Sequence, residues 1–197
     1  MRVCMRLLLV FGLFVIGADP TFAQAPQTKC DRLAAHPSDN QKAAPGVEHE
    51  AYDIPVARAA CREAIDAYPD EPRFYYQYGR SFFYEEDYET ALPLFEYAAE
   101  GGSAQGQMVY GLTLMMGYGG EPDVCTAGKW WLAGARQQHL YTKIYLLQNW
   151  IDGMFDECDL GLTEAEAAAM IESAPALALN QQANDDIAQL RDSWAQR

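Results

Sequence analysis

The stretch Ser103-Ala104-Gln105-Gly106-Gln107-Met108-Val109-Tyr110-Gly111, continued by Leu114, Gly117, Gly119, Asp123, Ala127, Trp130, Trp131 and Ala135, returns in part elsewhere in the chain. Ala91, Leu94, Phe95 and Ala99 fall on Ala127, Trp130, Trp131 and Ala135 at a shift of 36 residues. Tyr78-Gly79 falls on Tyr110-Gly111 at a shift of 32, and the difference belongs to a longer loop in the second copy, Gly117 to Asp123. A third copy is worn: Leu114 and Gly117 map only onto Trp150 and Gly153. A period in this range predicts stacked helical hairpins, since one hairpin cannot bury its own apolar face and its neighbour must. The repeated glycine lets two backbones approach, and small residues alternating with large ones suit helix-on-helix packing. No strand pattern is present. The fold class is all-α: a short α-solenoid with a helical C-terminal cap.

The flanking segments agree. Ala57, Ala60, Cys61, Ala64, Ile65 and Tyr68 lie on one face of a helix. Pro69 to Pro72 ends it, and helices are expected over 73–85 and 88–100, the latter closed by Gly101-Gly102. A short helix is expected over 30–35, stopped by His36-Pro37, and 38–55 reads as a loop. Thr163 and Glu166 make a capping box for a helix over 164–173. Ala183, Ile187, Leu190 and Trp194 stripe a last helix whose other face is polar, as a terminal cap requires.

Residues 1–23 read as a secretory signal peptide. Arg2 and Arg6 precede a charge-free run from Leu7 to Gly17, and Thr21-Phe22-Ala23 offers small residues for cleavage. The run is too short for a spanning helix, and no later segment is long and apolar enough. Residues 24–28 read as disordered. Export implies an oxidising compartment, periplasmic or secreted, in which Cys30, Cys61, Cys125 and Cys158 form structural disulfides with three pairings open. The net charge of −14 argues against nucleic acid or an anionic membrane as partner.

Gly106-Gln107, Tyr110-Gly111, Leu114, Gly117, Gly119, Asp123, Ala127, Trp130 and Ala135 resemble the Sel-1-like repeat, the longer-looped relative of the tetratricopeptide repeat. Tyr110, Leu114 and Gly106 depart from its usual leucine, tyrosine and alanine. Cys30-Asp31-Arg32-Leu33-Ala34-Ala35-His36-Pro37 and Ala59 to Ala64 resemble the leader of exported bacterial proteins of this kind. The resemblance implies bridges Cys30–Cys61 and Cys125–Cys158. With the residue patterns above, the expected division is signal peptide (1–23), disulfide-tethered leader (24–54), repeat domain (55–157) and C-terminal helical cap (158–197).

Nothing in the chain spells out catalysis, a metal site or a cofactor. Ser103 lacks the flanking glycine of a nucleophile elbow, and His36, His49 and His139 fit no zinc spacing. His49 reads as exposed, and His139 as a polar residue closing the helix before it. Met115-Met116 beside Trp130-Trp131 reads as core. The helix from Phe74 to Tyr84 carries more aromatics than one face can bury. Tyr76, Arg80, Phe83, Gln107 and Met116 are therefore the expected partner-binding residues of a concave groove for a protein or peptide. The Cys30 segment is the competing occupant. The function expected is non-catalytic interaction or scaffolding. The alternatives are an enzyme or binder acting on cell-wall peptides or β-lactams, and a purely structural envelope module.

Overall fold

The computed structural model describes residues 25–197, all helix and connecting loop; the signal-peptide reading lies outside them. The helices are α1 (Lys29–Ala34), α2 (Ile54–Ala67), α3 (Pro72–Phe83), α4 (Tyr88–Glu100), α5 (Ala104–Met116), α6 (Val124–Arg136), α7 (Leu140–Ile151), α8 (Glu164–Ser173) and α9 (Gln181–Ala195), with 3₁₀ turns at His49–Ala51 and Ala174–Leu177. Each packs chiefly on its neighbour in sequence, as in a solenoid, until α7, which packs on both α8 and α9.

Local chemistry sets the starts. The side chains of Asp53, Asp87, Ser103, Asp123, Thr163 and Asn180 each accept the backbone N–H three residues on, satisfying a donor the helix cannot. The helix after the leader begins at Ile54 because Asp53 caps it and Pro55 suits its first turn. The expected 38–55 loop is accordingly shorter and interrupted by a 3₁₀ turn. Thr163 caps α8, but the expected reciprocal bond from Glu166 is not the one made. The Glu166 carboxylate instead takes Arg136 Nε and Nη2 at 2.8 and 3.2 Å, tying α8 to α6. The reciprocal capping box belongs to Thr28 and Asp31, at the start of α1.

The repeat register is visible in the packing. A Cβ on Gly79 would stand 2.7 Å from the Phe95 ring, and one on Gly111 2.4 Å from Trp131 Nε1. Phe95 and Trp131 are themselves equivalent positions, so each hairpin closes by a large ring laid on a glycine. Gly117 ends α5 in the left-handed conformation, φ 69°, which a side chain disfavours. One core joins Trp131, Leu132 and Ala135 to Leu146, Phe155, Ala167, Ile171 and Leu190, running across position 157 from the repeats into the cap. The third copy has no second helix of its own: after α7 the chain turns through 152–163, and α8 and α9 cover α7.

Candidate functional site

Arg73, Gln77 and Arg80 lie four and three residues apart on α3 and share one face. They meet the leader. Arg73 Nε donates to Asp31 Oδ1 at 2.9 Å, and its Nη2 to the carbonyls of Ala25 and Pro26 at 2.8 and 3.0 Å. Gln77 Nε2 reaches the same Asp31 oxygen at 3.2 Å. Arg80 faces no carboxylate. Its Nη1 donates to the carbonyls of Ala34 and Ala35 at 3.2 and 3.0 Å, its Nη2 to that of Val47 at 2.7 Å, and its guanidinium lies over the rings of Tyr52 and Tyr84. Ala25 and Pro26 are thus bound to the repeats, within the 24–28 stretch where the composition pointed to disorder. Burial alone would raise the Asp31 carboxyl. The Arg73 and Thr28 hydrogen bonds outweigh it and hold that carboxyl below its ordinary value.

The leader then crosses to the next hairpin. Ser38 Oγ lies 3.1 Å from Gln105 Oε1 on α5 and 2.6 Å from His36 Nδ1, so its single proton serves one of two acceptors. Gln105 Oε1 also meets His139 Nε2 at 2.8 Å, and His139 Nδ1 accepts Thr142 N–H. Those two bonds require the neutral Nε2–H tautomer. Burial pushes His36 down to about 3, with the Arg80 charge adding, and His139 down to about 4, with Lys42 adding. His139 is the N-cap of α7 and fully buried, which corrects its expected role at the end of the preceding helix. His49 is exposed, its ring against Tyr84. Farther along, Asn40 and Gln41 bind Gln137 at the α6–α7 turn, and Gln41 Oε1 accepts Ala104 N–H at the start of α5.

Of the five expected partner-binding residues, the structure brings three together. Tyr76 and Arg80, only 2% and 3% exposed, and the half-buried Phe83 line a cavity of about 90 Å³ with His36, Phe95 and Gln105. His36 is the leader residue in its lining. Gln107 is buried elsewhere, bridging the Ala99 carbonyl and Gln137. Met116, at the end of α5, is 53% exposed, whereas Met115 beside it packs on the core. Sequence reasoning passed over Arg73, Gln77 and Gln105, polar residues on helix faces the repeat pattern marks as inner. A Thr-x-x-Asp box ahead of Ala34-Ala35 was the available sign that the leader is an ordered ligand of those faces.

The disulfides join Cys30 to Cys61 and Cys125 to Cys158. The first ties the leader to α2 from a fully buried position, and the second ties α6 to the loop before α8. Among the described residues no three His, Cys, Asp or Glu side chains converge as metal ligands, and no helix is long and apolar enough to cross a membrane.

These features define a short helical-repeat solenoid whose α3 and α5 hold the leader segment through side-chain hydrogen bonds. No family model and no curated protein matches the sequence. Among solved structures, the chain is similar to a protective antigen present in uropathogenic Escherichia coli strains displaying an SLR fold, with TM-score 0.58 and 18% identity over 82% of this chain and 33% of that one. The chain therefore spans about a third of that protein's length. At this identity the likeness is one of fold, and the fold is the Sel-1-like repeat solenoid that the motif implies.

Proposed function

We propose that the chain is a non-catalytic interaction module, periplasmic or secreted, that holds a peptide or partner-protein segment on its concave face, against the first helices of its hairpins. The observation that carries this reading is the use of side-chain donors, above all Arg80, on the backbone carbonyls of another segment. Hydrogen bonds to main-chain carbonyls let a surface grip a segment largely irrespective of its side chains. Export is supported by the composition of residues 1–23 and by two disulfides, which persist in oxidising compartments. On this reading the chain divides into signal peptide, leader (24–54), repeat domain (55–157) and cap (158–197). The absence of a catalytic role is supported by the histidines. His139 is neutral with both ring nitrogens engaged, and His49 is exposed without a carboxylate partner.

Photocrosslinking in the cell tests the reading, with the reactive group in place of Phe83 at the rim of the face or of Met116 away from it. The expected result is one reproducible partner from the Phe83 position, whose crosslinked segment binds the purified chain at one-to-one stoichiometry. Capture of nothing but the chain itself, or turnover of nitrocefin or peptidoglycan fragments by the purified protein, would sink it.

A further inference from the structure

The half-open cavity of about 90 Å³ is lined by hydrogen-bond donors that have nothing to bond. Tyr76 is almost fully buried, and its hydroxyl makes no hydrogen bond among the described residues. Gln105 is 1% exposed. Its Oε1 meets Ser38 Oγ and His139 Nε2, which leaves the two N–H groups of its Nε2 without an acceptor among those residues. His36 Nδ1 accepts the Ser38 N–H at 3.1 Å, so the neutral ring carries its proton on Nε2, again without an acceptor. Tyr84 Oη accepts from Arg80 Nε at 2.8 Å and keeps its own hydrogen free. These four side chains and the buried Arg80 guanidinium share one lining, and Phe83, Phe95 and Val109 complete it. No carboxylate is among them. Asp39, the buried acid closest in sequence to His36, lies outside the lining and spends Oδ1 on the Gln41 N–H at 2.8 Å.

We infer that this cavity is a carboxylate pocket, and that its occupant is the side chain of a Glu or Asp on the partner segment. This rests on the interaction reading above and names the group that the face selects. A carboxylate only accepts hydrogen bonds, which makes it the complement of a lining that offers donors. The space holds about three waters' volume, enough for a carboxylate on a stem of one or two carbons. The stem would lie against Phe83, Phe95 and Val109, and the oxygens among the Tyr76, Gln105 and His36 donors. Arg80 adds positive charge: its N–H groups are engaged by Tyr84 and by three carbonyls, but no carboxylate neutralises it. The net charge of −14 repels an anion at long range, where salt screens it, whereas the attraction inside a buried site is screened far less. A free acid of this size gains little against the cost of its own immobilisation. A side chain enters with the rest of its segment already held, so a segment is the fitting source.

The experiment titrates the isotope-labelled full chain with N-acetyl-Ala-Glu-Ala-amide, its Gln counterpart and propionate, following the side-chain amide signals of Gln105 by NMR. The Glu peptide should move these signals saturably, and about ten-fold more tightly than either the Gln peptide or propionate. Tyr76→Phe should weaken the Glu peptide about ten-fold by removing one donor to a charged acceptor. The same change should leave the melting temperature no lower, because the hydroxyl has no bond in the protein to lose; a merely structural role would lower stability and binding together. Val109→Leu, which narrows the cavity from its apolar wall, should weaken the Glu peptide as well. An unmoved Gln105 amide overturns the inference, as does a Gln peptide that binds as well as the Glu peptide, or a folded Tyr76→Phe chain that binds like its parent. Propionate as tight as the Glu peptide would overturn the segment as source and assign the pocket to a free acid. A partner crosslinked from the Phe83 position, with no response to the Glu peptide here, would leave the interaction reading standing and remove only the carboxylate pocket.

Discussion

Replacing Arg80 by alanine is the sharpest probe of how the leader is held. The guanidinium supplies three hydrogen bonds to carbonyls of the leader and stacks on Tyr52 and Tyr84, with centroids 4.5 and 5.0 Å from its central carbon. Hydrogen bonds from a charged donor contribute about 1.5–3 kcal/mol each, and a desolvated cation–π contact about 1–2 kcal/mol. These are not additive, and the carbonyls recover part of the loss by admitting water into the space vacated. A net cost of about 4 kcal/mol for leader docking is the reasonable centre, or about a thousandfold in the opening equilibrium. Because the bridge keeps Cys30 on α2, the leader should detach between Ala34 and Val47 without unfolding the repeats. Hydrogen exchange is the assay. The amides of Asp39 and Val47, bonded in the native state to the carbonyls of His36 and Ala35, should exchange about a thousandfold faster in Arg80→Ala, while amides of α6 and α7 should not change. Arg80→Lys should fall between, since an ammonium cannot span the Ala34–Ala35 and Val47 carbonyls in one plane. Unchanged protection at Asp39 and Val47 would refute the claim that Arg80 holds the leader. Equal loss throughout α6 and α7 would refute the claim that leader and repeats come apart separately.

Acid should weaken the same junction. His36 and His139 titrate near 3 and 4 in the folded chain against 6.5 when unfolded, so the unfolded state takes up protons first. Stability from these groups is intact above pH 6.5 and falls as pH drops toward 4, by about 1.4 kcal/mol per pH unit for each histidine. Guanidinium melts at pH 7.5 and 4.5 should show the loss, and His36→Asn/His139→Asn should flatten it. Gly111→Ala forces a Cβ against the Trp131 ring, whose Nε1–H is bonded to the Met108 carbonyl at 3.0 Å, and should cost about 2–3 kcal/mol. Gly120→Ala, with open space around it, should stay within about 0.5 kcal/mol in the same melt. Cys125→Ser/Cys158→Ser should cost about 3 kcal/mol by releasing the loop before α8 from α6, read as a lower melting temperature with unchanged leader protection.

The architecture was legible in the sequence because it depends on positions that recur. The glycines of Tyr78-Gly79 and Tyr110-Gly111 announce where a ring will lie, and the shift from Phe95 to Trp131 names the ring. The site was legible only in part, because binding by carbonyl acceptors leaves almost no trace in side-chain identity. Arg80 was found as a groove residue, but its ligands, the backbones of Ala34, Ala35 and Val47, are anonymous in sequence. His139 was misplaced because a histidine N-cap is uncommon and the preceding helix ends three residues earlier, at Arg136. Met116 was drawn inward by its place in the repeat, whereas the last residue of α5 lies where the helix leaves the stack for the long loop.

Both flanks of the two described hairpins carry a disulfide, and the packing of the flanks gives a physical reason. A repeat gains its stability from two neighbours, and each terminal repeat has one. Among the described residues two hairpins are complete, α3–α4 and α5–α6, so each has one full hairpin beside it. The N-terminal face is closed by α2 and by the leader on α3, and the C-terminal face by α7 with α8 and α9. The C-terminal closure is largely apolar, with Leu146, Leu147, Ala167, Met170, Ile171 and Leu190 in one core, and the leader shares a smaller apolar cluster with α2 and α3; polar contacts are added to both. The leader docks through Asp31, Arg73, Gln77 and Arg80, and α8 is fixed partly by Lys143, whose fully buried ammonium donates to Gln138 Oε1 and Ser173 Oγ at 2.6 and 2.9 Å. Polar docking of this kind gives geometry more than net stability, since each buried charge first loses its water. A covalent tether at each end supplies what such docking lacks, by lowering the entropy gained when an end comes loose. At the N-terminal end this leaves a junction specific in its contacts and reinforced by its bridge.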